Sequence, residues 1–226
     1  MKKLIIATIA ATGIASSVFA QGTLNFASFV PTYIGAQTNS TTYSSFFGGG
    51  SAVGGAQGAT AVAASGFYYE LLFAASGTTT PTTLTALGTW SDSGFYANNS
   101  TGSAGRLQVG NGNNGIAVTG MSVGTAYSII LAAWSANLGT SWSTVYSKLN
   151  TDNFTGVVGN AFFGLSTVGT VTPTTTTAPG ATIFGASPLI NSPSTQLYLV
   201  TPAPEPGTMA LAALGGASLL LFRRRK

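Results

Sequence analysis

The chain has 226 residues, eight of them Lys or Arg and four Asp or Glu, with no Cys and no His. Charged residues make up 5%, against about a quarter in ordinary domains, while 45% hydrophobic content leaves enough to bury a core. Without Cys there is no disulfide framework, thiolate nucleophile or thiolate metal site, and without His no Ser-His pair, Cys-His pair or imidazole ligand.

The formal charge of +4 raises the question of nucleic acid. The distribution answers it. Lys2, Lys3, Arg223, Arg224, Arg225 and Lys226 stand at the ends. The body from Gln21 to Pro202 holds Arg106 and Lys148 against Glu70, Asp92 and Asp152, a net of −1. Binding phosphates requires clustered cations. The body has no such cluster, so no nucleic-acid partner is expected.

The N-terminus reads as a secretory signal over residues 1–20. Lys2 and Lys3 form a positive start, an apolar run begins at Leu4, and Val18-Phe19-Ala20 puts small residues at −3 and −1. Cleavage is expected between Ala20 and Gln21.

Residues 21–201 read as one secreted β-rich domain. In Phe67-Tyr68-Tyr69-Glu70-Leu71-Leu72-Phe73 the odd positions make an apolar face, while Tyr68, Glu70 and Leu72 make a half-covered one. Ala126 to Trp134 is more apolar throughout and suits a central strand. Thr23–Val30, Leu84–Trp90, Arg106–Val109, Ile116–Val123, Gly156–Phe163, Ser166–Val171 and Thr195–Thr201 are weaker strand candidates. Trp142, Val145, Tyr146 and Leu149 fit i, i+3, i+4, i+7 and predict a short helix, with a strand as the alternative. Phe47 to Ser65, mostly Gly, Ala and Ser, reads as a long loop, and Thr172–Gly180 as a Thr-Pro link. The expected fold is all-β: a single β-sandwich, jelly-roll or Ig-like.

The chemical motifs are weak. Gly110-Asn111-Gly112-Asn113-Asn114-Gly115 spells G-x-G-x-x-G. A dinucleotide site needs a helix after it and an acid about 20 residues on. A strand-like segment follows instead and the next acid is Asp152, so a Gly/Asn turn is expected. Asn39, Asn99 and Asn153 head glycan-acceptor triplets, which chance explains equally well in such a sequence. Glu70, Asp92 and Asp152 are the only body acids. A glycosidase needs two carboxyls about 5 to 9.5 Å apart, so a hydrolase would show two of these three converging in a cleft. Asp92 alone reads as an Asx turn, and Asp152 as a turn cap or a helper in a calcium loop too poor in acids. Trp134 and Trp142 read as core. Trp90 is the least constrained of the three and the candidate for stacking on a sugar.

Residues 202–226 mirror the N-terminus. Pro204-Glu205-Pro206 lies in a proline-rich stretch that cannot be helical. Gly207 to Phe222 is uncharged, and Arg223-Arg224-Arg225-Lys226 follows. As a helix the 16-residue run reaches about 24 Å. A hydrocarbon core is roughly 30 Å thick, and snorkelling arginines with local thinning bridge the difference. The positive-inside rule puts the basic tail in the cytoplasm as a stop-transfer signal.

Proline-glutamate-proline, one apolar helix and an Arg-rich end, in that order behind a signal peptide, resemble the PEP-CTERM sorting signal. The resemblance covers the last ~24 residues. It implies an exosortase and the secretion machinery as partners, the membrane as a temporary anchor, and the cell surface or extracellular matrix as destination. Pro204, Glu205 and Pro206 would then be a substrate signal. No catalytic residue, metal ligand or cofactor is assigned. The expected role is non-catalytic, structural or adhesive, and exopolysaccharide is a candidate partner. The alternatives are a carbohydrate-binding module, which would show several coplanar exposed aromatics, and a secreted hydrolase.

Overall fold

The computed structural model describes residues 21–25, 36–47, 57–60, 66–100, 102, 104–109, 115–175, 180–190 and 195–200. The strands among them are β1 (Gln21–Asn25), β2 (Ala36–Tyr43), β3 (Gln57–Ala59), β4 (Phe67–Ala75), β5 (Ser91–Asn99), β6 (Leu107–Val109), β7 (Ile116–Ser122), β8 (Tyr127–Ser135), β9 (Phe162–Leu165), β10 (Gly169–Val171), β11 (Ala181–Thr182) and β12 (Thr195–Leu199). Two α-helices join them, α1 (Leu84–Leu87) and α2 (Trp142–Asn150).

β4 and β8 are the middle of the fold because both their faces are apolar. They pair antiparallel from Phe67↔Ser135 to Ala75↔Tyr127. Tyr69, Leu71 and Phe73 of β4 join Ile129, Leu131 and Ala133 of β8 in one core. Leu72 joins Ile130, Ala132 and Trp134 in a second core on the other face. Burying a large apolar side chain stabilises by about 1.5–3 kcal/mol, so a strand with two apolar faces is held in the centre.

The large sheet runs β3-β2-β12-β9-β8-β4-β5-β6, with β10 also paired to β8. A small sheet, β11-β1-β7, supplies Leu24, Val118 and Met121 to the first core, and Ile183 joins them just after β11. The second core is closed by α2 through Trp142, Val145 and Leu149 and by α1 through Leu87. The result is three layers: small sheet, large sheet, helices. The all-β class holds. A nine-to-three division with parallel pairs β1–β11 and β12–β2 differs from the antiparallel four-plus-three sheets of an Ig domain.

The helix at Trp142 forms on its predicted stripe. It ends in a Schellman motif: the Asp152 N–H donates to Leu149 O at 3.3 Å and the Asn153 N–H to Lys148 O at 3.0 Å. Asp152 takes the left-handed conformation this requires, with φ 49°.

Several expectations need correction. Leu84–Trp90 is not a strand: Thr83 caps a helical turn by accepting from the Ala86 N–H at 3.1 Å, and the turn ends at Gly88. Phe47–Ser65 is not wholly a loop, since β3 lies inside it and pairs with β2. Gly156–Phe163 becomes strand only at Phe162. β2 and β5 had no predicted counterpart, because Asn, Ser and Thr dominate their sequences. Among the described residues no helix is long and apolar enough to cross a membrane. The signal segment 1–20 and the expected span 207–222 lie outside the described residues.

Candidate functional site

The site grows from an irregularity between β4 and β5. Glu70 pairs with Tyr96 and Leu72 with Asp92, so Leu71 alone faces Ser93, Gly94 and Phe95. Ser93 stitches this bulge: its hydroxyl donates to Leu71 O at 2.6 Å and accepts from the Phe95 N–H at 3.1 Å. Gly94 supplies the left-handed φ of 72°, and its N–H donates to Asp92 Oδ1 at 2.7 Å. Two extra residues on β5 preserve the alternation of faces. Asp92, Tyr96 and Asn98 therefore share the side of the sheet that carries Tyr68 and Glu70. Bulges commonly re-aim side chains in this way.

Glu70 and Asp92 meet as a result. Glu70 lies opposite Ala132, whose small side chain leaves room, and is only 7% exposed. Burial raises its carboxyl first, and the hydrogen bond and charge of Asp92 raise it further, to about 9. At neutral pH Glu70 is thus a neutral acid beside Asp92. Asp92 itself is exposed. The second Glu70 oxygen, Oε1, is buried without a hydrogen-bond partner among the described residues, and so is Asn98 Oδ1.

These groups line a cleft of about 290 Å³. One wall is the β4–β5 ribbon and the other is Thr140 to Ser143, where α2 begins. Ser141, the N-cap, makes no side-chain bond to the helix backbone. Its hydroxyl turns to Thr144 Oγ1 at 2.9 Å instead. The first-turn N–H groups of a helix have no intrahelical acceptor. Aromatic rings support the floor: Tyr68 stacks on Trp134 at 6.4 Å, and Trp134 meets Trp142 at 5.8 Å. Tyr96 is 45% exposed. The cleft thus sets acceptors on the sheet side against donors on the helix side.

Other predicted residues fall elsewhere. Trp90 is 6% exposed and packed in the second core, so it offers no platform for a sugar. Trp134 and Trp142 are core as read, at 1% and 8%. Asp152 caps α2 and does not converge with the other acids. Among the described residues no three His, Cys, Asp or Glu gather around a metal position. Asn39 and Asn99 are buried in strands, which removes two of the glycan-acceptor triplets, while Asn153 is exposed. Gly110–Asn114 lie outside the described residues; the flanking strands β6 and β7 belong to different sheets. Ala20 lies outside too, and Gln21 opens β1. Tyr68, Tyr96 and Asn98 were not anticipated. The alternation Phe95-Tyr96-Ala97-Asn98 was the available signal, obscured by the turn-like Ser-Asp-Ser-Gly before it.

The second functional element is a segment of sequence outside the described residues. It contains Pro204-Glu205-Pro206, the uncharged run 207–222 and the basic tail Arg223, Arg224, Arg225 and Lys226. Residues 202–226 match the PEP-CTERM protein-sorting motif. The PEP-CTERM segment implies an exosortase substrate that is exported and anchored in the membrane by its C-terminal part before cleavage. The match begins two residues after Val200, whose N–H donates to Ala161 O at 2.9 Å. No curated protein and no solved structure matches the chain.

Proposed function

We propose that the exported body serves at the cell surface or in the extracellular polysaccharide matrix in a non-catalytic, structural or adhesive role. The PEP-CTERM segment supports the destination. The non-catalytic part is supported by one observation, the placing of Glu70 and Asp92 side by side on the same wall of the cleft, where Asp92 acts on the Glu70 proton. Two acids do converge in a cleft, as a hydrolase requires. Yet acids that meet on one wall do not flank a glycosidic bond, whose cleavage needs about 5 Å or more between carboxyls. The pair is better arranged to hold hydroxyl groups than to cut between them.

Two measurements test this. Intact mass and location, in a host with and without exosortase activity, test the sorting. The expected product begins at Gln21, lacks Gly207 onward only when the exosortase is active, and reaches the surface. Incubation of the purified protein with polysaccharides and chromogenic glycosides tests the rest. Release of reducing ends that disappears in Glu70→Leu would overturn the non-catalytic reading.

A second reading, carbohydrate binding, is favoured by the exposed Tyr96 beside the unpartnered Glu70 Oε1 and Asn98 Oδ1.

A further inference from the structure

We propose that the cleft between β5 and the first turn of α2 binds a neutral saccharide, taking its hydroxyls on Glu70, Asp92 and Asn98 and one ring face against Tyr96. This supplies the ligand of the adhesive role and rests on that reading for the source of the sugar.

Two buried acceptors, Glu70 Oε1 and Asn98 Oδ1, have no partner among the described residues. Leaving a buried polar group unpaired costs about 1–3 kcal/mol, so the ligand must bring donors. An apolar ligand brings none. An anion would face the Asp92 carboxylate with no Lys or Arg in the lining. A divalent cation prefers several charged oxygens in its shell. Here only Glu70 and Asp92 are acids in the lining, and among the described residues no third His, Cys, Asp or Glu gathers with them. A polyhydroxylated neutral molecule fits every part. Its hydroxyls donate to the sheet-side oxygens and accept from Ser143 or the open helix N-terminus, the Ser141 proton being given to Thr144 Oγ1. Its C–H face suits an exposed aromatic ring. The volume of about 290 Å³ is at the small end for ligand sites, which run to about 1,000 Å³, and suits one or two sugar rings.

The test is saturation-transfer NMR on the mature protein from its host. The probes are neutral oligosaccharides of glucose, galactose and mannose at millimolar concentration, with inorganic phosphate and a neutral peptide as controls. Transfer to at least one sugar is expected. Affinity should fall about fivefold in Tyr96→Ala and about tenfold in Asp92→Asn, both at exposed positions. Glu70→Gln, which keeps a donor toward Asp92 and an acceptor toward the cleft, should bind nearly as well as the parent, whereas Glu70→Leu should not bind. If Glu70→Leu does not fold, the two exposed variants carry the test. Absence of transfer to every sugar overturns the inference. So does equal transfer to the peptide, or sugar binding unchanged in Tyr96→Ala and Asp92→Asn. Location separates this failure from that of the adhesive role. A surface protein that binds no sugar removes only this inference; one that binds sugar but stays in the inner membrane removes the surface role.

Discussion

Glu70 meets Asp92 in the cleft although its cross-strand partner is Tyr96; Asp92 stands opposite Leu72. The bulge at Ser93-Gly94 brings the two acids together. Two neighbouring acids hold one proton more easily than none, so Glu70 keeps its proton at neutral pH.

That proton makes stability depend on pH. The Glu70 carboxyl titrates at about 9 in the folded protein against 4.5 without perturbation. Between these values the folded chain binds more protons than the unfolded one, so stability falls as pH rises. The contribution is complete below about 4.5 and lost through about 9. Chemical denaturation at pH 5, 7 and 9 should show midpoints declining in that order. Glu70→Gln, which cannot ionise, should flatten the trend. A parent midpoint that rises over this range would contradict the paired-acid geometry.

Gly94 should tolerate no side chain, though nothing crowds it. An added Cβ would meet no atom within 4 Å, but φ is +72°. A left-handed backbone costs a residue with a Cβ about 1–2 kcal/mol. Gly94→Ala should lower stability by about 1 kcal/mol and disturb the N–H that holds Asp92 Oδ1. Gly94→Asn should recover part of the loss, since Asn accepts this conformation more readily. Thermal unfolding of the three proteins decides the ranking.

Gly164 illustrates the opposite constraint. It lies on β9 beside β12, and a Cβ there would collide with the carbonyl oxygen of Gln196. Backbone cannot move aside as a flexible side chain can, so Gly164→Ala should cost about 1–3 kcal/mol. The measurable sign is an unfolding midpoint well below that of a nearby control such as Ala161→Gly.

The sequence disclosed the parts of this fold that depend on apolar patterning. β4, β8 and α2 carry runs or stripes that only a core explains, and each was legible. β2 and β5 were not. Their sequences, Ala-Gln-Thr-Asn-Ser-Thr-Thr-Tyr and Ser-Asp-Ser-Gly-Phe-Tyr-Ala-Asn-Asn, resemble loops by composition. They become strands because β12 and β4 offer open hydrogen-bonding edges beside them. The candidate site was half legible for the same reason. Glu70 and Asp92 stood out as rare acids, and the Asx turn at Asp92 was readable. Their meeting depends on a two-residue bulge whose register only the paired strands define. Trp90 follows a turn, a position that reads as exposed, whereas the helical turn α1 brings it into the second core with Leu87.

The attachment of the body to its sorting segment yields the last prediction. Leu199 and Val200 are buried, at 3% and 5% exposed. Leu199 O accepts from the Ser44 N–H at 2.7 Å, and the Val200 N–H donates to Ala161 O at 2.9 Å. Only Thr201, Pro202 and Ala203 separate this pinned end from Pro204. Three extended residues span roughly 10 Å, so Pro204 is presented within about that distance of the folded body. Removing Thr201–Ala203 would bring the motif against the fold, and processing would require Leu199 and Val200 to leave their cores. Such local opening costs free energy that an enzyme must wait for. Deletion of these residues should therefore slow conversion to the mature mass in a pulse-chase experiment, while a Gly-Ser spacer inserted after Thr201 should leave it as fast or faster. Replacing Leu199 by Ala in the deletion variant should restore part of the rate by loosening the pinned end. Equal rates in all three would mean that cleavage does not sense the folded body.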